Sequence, residues 1–176
     1  MLLPIKEYKL HLTWFWFLSD LLSVDGLGRT KLYKAAYDTQ LTETRKMIKS
    51  AKELGILPEL INKADNYGQT PLYNASNYGH LRSVKLLLNN GAEIDKAKFD
   101  GATPLMGASL KGHLDVVDVL LRHNANVHLK DTNGDTALSI AKQQGNTIIA
   151  ETLEKAGAKW SVSYLHTIND NVTRHQ

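Results

Sequence analysis

Thr70, Thr103 and Thr136 stand 33 residues apart, and each sits in a related phrase: Gly68-Gln-Thr-Pro-Leu-Tyr-Asn-Ala75, Gly101-Ala-Thr-Pro-Leu-Met-Gly-Ala108 and Gly134-Asp-Thr-Ala-Leu-Ser-Ile-Ala141. A second phrase keeps the same step, as Gly79-His80, Gly112-His113 and Gly145-Asn146, followed in turn by Gly91, Asn124 and Gly157. Two phrases in one register constrain the fold more than any other feature of the chain. A period of roughly 20–50 residues signals an array of stacked units, each too small to bury its own apolar face.

Local chemistry says what the unit is. Each threonine takes the place of a helix N-cap, with a hydroxyl that accepts from a free backbone N–H one turn in. Pro71 and Pro104 follow at the first helical position, where a missing N–H costs nothing. Leu72 with Ala75, and Leu105 with Ala108, set a large and a small apolar residue on one face. Gly79 and Gly112 end this short helix. The chain then enters a second one, whose runs Val84, Leu86, Leu87, Leu88 and Val116, Val117, Val119, Leu120, Leu121 are too broad for an exposed helix. Gly91, Asn124 and Gly157 fall where a left-handed residue closes it. Such a pair is marginal alone; each leucine covered by a neighbouring unit contributes about 1.5–3 kcal/mol before entropy is subtracted.

Four units are expected, roughly 25–64, 65–97, 98–130 and 131–160. The first diverges: Asp25-Gly-Leu-Gly-Arg-Thr30-Lys-Leu32 echoes the phrase, but Thr30 to Thr70 is 40 residues, seven above the period. The surplus is expected to lengthen the second helix or its exit within Ile48 to Leu60, with Gly55 and Pro58 at the turn. In the last unit Thr152 and Glu154 replace Leu86 and Leu88, the polar outer face a C-terminal cap requires.

Thr-Pro-Leu, Gly-His and Gly91-Ala-Glu-Ile-Asp95 together resemble the ankyrin repeat, over about Asp25 to Trp160. The resemblance implies an all-α, ankyrin-like solenoid of about four helix-turn-helix repeats joined by β-hairpin loops. It also implies a non-enzymatic interaction module or adaptor that binds a protein partner through its concave face and hairpin tips. Tyr73, Met106 and Ser139 stand where the family usually has histidine, a departure expected to loosen the hydrogen bonding of the first helices.

Carried over position by position, the family's contact sites single out Arg29, Tyr37 and Asp38; Tyr67, Gln69, Asn77 and Tyr78; and Phe99, Asp100, Leu110 and Lys111. Leu27 and Asn66 belong to the same set, while Thr132, Asn133, Gln143 and Gln144 offer only small polar groups in the last repeat. Tyr37, Tyr67, Tyr78 and Phe99 are the expected hot spots, because an aromatic ring buries a large rigid area at little entropic cost. Packing against the next hairpin is the competing role, above all for Tyr67 and Phe99. His80 and His113 are read as local backbone hydrogen-bonders rather than metal ligands.

With 21 basic and 18 acidic residues the net charge is +3, too small and too dispersed for a nucleic-acid surface. The absence of cysteine removes disulfides and thiolate zinc sites and favours an intracellular home, cytoplasmic or nuclear. No cofactor, metal or small-molecule substrate is expected; Gly26-Leu-Gly28 lacks the spacing of a phosphate loop and no apolar strand precedes it. The array is expected to act as a monomer. Residues 1–24 carry the apolar stretch Leu10 to Leu22, read as an extra helix across the first repeat, with a membrane anchor through residues 10–22 as the alternative. Residues 161–176 form a polar tail, read as partly disordered.

Overall fold

The protein, described here by a computed structural model, is defined over residues 19–157; the stretch Leu10 to Leu18, Trp160 and the polar tail lie outside the described residues. Within them the chain is a succession of helix pairs. First helices are α1 (Lys31–Tyr37), α4 (Pro71–Asn77), α6 (Pro104–Lys111) and α8 (Ala137–Gln143). Second helices are α2 (Leu41–Glu53), α5 (Leu81–Leu88), α7 (Leu114–Arg122) and a last one, α9, over 147–157. The seven surplus residues of the first repeat do two things. They lengthen α2 to 13 residues and add a separate five-residue helix, α3 (Leu57–Ile61). Gly55 turns the chain between the two, whereas Pro58 lies inside the first turn of α3 rather than in the turn itself.

The threonine caps form in all four repeats. Thr30, Thr70, Thr103 and Thr136 accept from the N–H groups of Tyr33, Tyr73, Met106 and Ser139 at 3.1, 3.1, 3.3 and 3.2 Å. The departures after Thr-Pro-Leu do not loosen these turns. Met106 Sδ and Ser139 Oγ lie 3.4 and 2.9 Å from the backbone N–H of their own threonine and close a reciprocal capping box. Gly91 and Asn124 both take positive φ, 89° and 65°, at the exits of α5 and α7.

Apolar side chains run as one continuous core from repeat to repeat. Leu32, Leu72 and Leu105 of the first helices, with Val84, Leu87, Val116, Leu120 and Leu153 of the second, are almost fully enclosed. α7 buries Val116, Val117, Val119 and Leu120, a wider face than the Ser83, Val84 and Leu87 of α5. At one end Leu21, in helical residues 19–22, joins this core. At the other, Glu154 pairs with Lys142 at 2.7 Å and Ile148 is 63% exposed.

Three backbone-directed ladders tie the repeats together outside the core. At the hairpin tips Asn66, Phe99 and Thr132 donate their N–H to Leu27, Tyr67 and Asp100 carbonyls at 2.9, 3.3 and 2.8 Å. At the exits of the second helices the Glu93 and Asn126 N–H groups donate to Asn62 Oδ1 and Asp95 Oδ1 at 2.8 and 3.1 Å. Along the first helices, His113 Nε2 meets the Asn77 carbonyl at 3.2 Å and Asn146 Nδ2 donates to the Ser109 carbonyl at 2.8 Å. The bond of His113, expected to be local, therefore crosses between repeats. Its ring arrives where the preceding repeat has a carbonyl with no helical partner.

Candidate functional site

Three of the four hairpin tips are closed by the same small device. Asp25 Oδ1 accepts from the N–H groups of Leu27 and Arg29, both at 3.0 Å. Asp65 Oδ1 does so from Tyr67 and Gln69, and Asp131 Oδ1 from Asn133 and Asp135, all at 2.9 Å. The third repeat has Lys98 at this position, and Asp100 Oδ1 accepts from Ala102 instead, at 3.1 Å. The tips are therefore aspartate-held turns, and among the described residues the only β-pairing is an isolated bridge between Val24 and Thr30. Fixing the turns presents whatever stands at i+2 and i+4 of the aspartate in a set orientation.

Between the first and second repeats this presentation opens a cleft of about 210 Å³, lined by Leu27, Arg29, Tyr33, Tyr37, Asp65, Tyr67, Gln69, Asn74 and Tyr78. Six expected contact residues meet there: Leu27, Arg29, Tyr37, Tyr67, Gln69 and Tyr78. Tyr37 is the last residue of α1 and Tyr78 caps α4, and their rings meet edge to face with centroids 4.9 Å apart. His80 stacks on Tyr78 at 6.2 Å. Tyr67 is 59% exposed at its tip. Arg29 is held back by Asp25, whose Oδ2 lies 2.8 Å from a guanidinium nitrogen; that bond keeps the Asp25 carboxyl down at about 2.

The remaining expected residues lie beside the cleft or beyond it. Asp38 caps α1 next to Tyr37, and Asn77 precedes Tyr78 with its carbonyl spent on His113. Phe99 lies over the neighbouring tip: a Cβ built on Gly68 would come within 2.7 Å of its ring. Its inner edge thus packs on the second hairpin while the residue stays 78% exposed. Asp100 pairs with Lys98, and Leu110 and Lys111 stand on α6, one repeat further on.

Apart from Gln69, the floor of the cleft consists of residues not anticipated as site residues: Tyr33, Asp65 and Asn74. The Tyr33 hydroxyl, raised out of its ordinary range by burial, stays protonated and lies 3.1 Å from Asp65 Oδ2 and 3.3 Å from Gln69 Oε1. Asn74 donates to the same hydroxyl, and its own Oδ1 has no hydrogen-bond partner. The aspartate at least carried a signal: Asp25, Asp65 and Asp131 each precede their threonine by five residues. No such column marks Asn74, whose counterparts are Lys34, Gly107 and Ile140.

Among the described residues no group of three or more histidine or acidic side chains could hold a metal ion, and no helix is long and apolar enough to cross a membrane. A sequence model of the family described as ankyrin repeats (3 copies) matches residues 9–98 and 94–163. No curated protein matches the chain.

Proposed function

The chain belongs to the ankyrin-repeat family, whose arrays are generally protein–protein interaction modules and typically non-enzymatic, and on that premise we propose that it is an adaptor docking one protein partner over the cleft between its first two repeats. The observation that carries this reading is the exposed tyrosine cluster. Tyr37, Tyr67 and Tyr78 are 38%, 59% and 51% exposed, yet fixed by hairpin aspartates and by each other. Rigid aromatics that lose little entropy on docking are what an interface centre needs. Phe99, Asp100, Leu110 and Lys111 extend the surface into the third repeat. Leu21, packed into the core of the first repeat, supports a capping role for the N-terminal segment.

A photocrosslinking amino acid in place of Tyr78, with Arg82 on the exposed side of α5 as control position, tests the site. A partner captured from 78 and not from 82 is expected to lose affinity by about thirtyfold, roughly 2 kcal/mol, on Tyr37→Ala or Tyr78→Ala. Unchanged affinity at native helicity would overturn the reading. Sedimentation with membranes, abolished by deleting residues 1–18, would replace it with a membrane-tethered adaptor.

A further inference from the structure

Three tyrosines wall the cleft, but its floor is not apolar. Asp65 and Asn74 are each 7% exposed; Asp65 Oδ2 and Gln69 Oε1 face one shared donor, the Tyr33 hydroxyl, while Asn74 Nδ2 donates to the oxygen of that hydroxyl. That hydroxyl has a single proton to give. Two acceptors therefore share that one proton, and Asn74 Oδ1 is left unpartnered in a part of the fold where an unmet polar group is costly.

The charges agree. Two cations stand near, Arg29 and Lys34, and both face Asp25, at 2.8 and 3.8 Å. Among the described residues no cation lies within ion-pairing distance of Asp65 on the floor or Asp38 on the rim. Among the described residues, two carboxylates in and beside one cleft thus have no ion pair, in a molecule of net charge +3. The walls are negative as well, since the face of an aromatic ring attracts a cation at close range.

We propose that this cleft receives one arginine side chain from the docking partner, its guanidinium donating to the Asp65, Gln69 and Asn74 cluster between the rings of Tyr37, Tyr67 and Tyr78. This rests on the reading of the cleft as the docking site. A volume of about 210 Å³ suits one long side chain and falls below the roughly 300 Å³ at which small-molecule sites begin. Arginine fits better than lysine: its flat fork supplies several donors at once and stacks on rings, where an ammonium is a compact point charge.

The test uses the full chain and two blocked pentapeptides, acetyl-Gly-Gly-Arg-Gly-Gly-amide and its citrulline counterpart, followed by NMR. Citrulline keeps the shape and removes the charge. Saturable shifts at Gln69, Asn74 and Tyr78 with the arginine peptide are expected, weakened at least about fivefold by citrulline, by Asp65→Asn and by Tyr78→Ala. Asn at 65 retains the Oδ1 that closes the turn, and Tyr78→Ala leaves the floor untouched, so one of the two reports even if the other disturbs the fold. Equal binding of both peptides, or shifts centred elsewhere, would overturn the arginine assignment. Crosslinking from position 78 would survive that result, whereas its absence would remove the docking reading itself.

Discussion

Tyr37 and Tyr78 meet edge to face across the junction of the first two repeats, with ring centroids 4.9 Å apart and planes at 82°. Tyr37 is the last residue of α1 and Tyr78 the cap one place further on after α4, so the stacking of neighbouring first helices brings these rings together without their being copies of one position. Neither is enclosed. The pair is rigid because each ring supports the other and His80 lies within 6.2 Å of both.

The pair should be measurable in the free protein. A double-mutant cycle of Tyr37→Ala and Tyr78→Ala is expected to give a coupling of about 0.5–1.5 kcal/mol in urea unfolding. Additive single effects would mean that the rings are independent, and the tyrosine cluster would lose its claim to being preorganised.

Gly68 and Gly134 hold equivalent tip positions with φ of 78° and 82°, yet only Gly68 is covered, by the ring and backbone of Phe99. Alanine at either site carries the strain of a left-handed backbone, about 1 kcal/mol. Gly68→Ala should cost about 1–3 kcal/mol, clearly more than Gly134→Ala, in denaturant midpoints measured side by side. Equal losses would show that Phe99 does not rest on the second tip.

The cross-repeat bond from His113 to the Asn77 carbonyl has an analogue in Asn146, which reaches back to Ser109. Removing it with His113→Ala is expected to lower stability by about 1–2 kcal/mol, since a carbonyl is left unmet and the ring over Gly79 is lost. His113→Asn should recover part of this. A variant with asparagine no better than alanine would place the whole effect in the ring's packing.

Acid should weaken the fold in two stages. His80 is held below its ordinary 6.5 by burial and then by repulsion from His113, so the unfolded chain takes up the proton first. Its contribution is present above about pH 6.5 and is lost as pH falls through the folded value. Asp25 is lowered from 3.8 to about 2 by its bond to Arg29, so its contribution is present above about pH 4 and is lost as pH falls toward 2. Unfolding midpoints against pH should lose the upper stage in His80→Asn and the lower one in Asp25→Asn. A profile unchanged by both substitutions would contradict these assignments.

Much of this was legible before any fold was known, because the signals are local. A threonine caps the helix that begins at the next residue, a proline starts it, and a glycine or Asn124 ends the pair. The contact positions Tyr37, Tyr67 and Tyr78 followed from the repeat register, since like positions in an array face the same way. Asn74 did not follow, because it departs from its own column. His113 was placed correctly in the repeat but with the wrong partner: a ring at the start of a second helix can reach its own backbone or its neighbour's, and spacing does not distinguish them.

Sequence alone therefore determined the period, the helix pairs and the family, all properties of interactions spanning a few residues and repeated in register. Only the tertiary structure decided that Tyr33 reaches Asp65, that Arg29 pairs with Asp25 at the edge of the cleft, and that Phe99 leans on Gly68. Each of these joins residues through the offset between stacked repeats or the fold of one tip. That offset is set by how the buried leucines and valines of neighbouring helices interlock, which no short stretch of sequence encodes by itself.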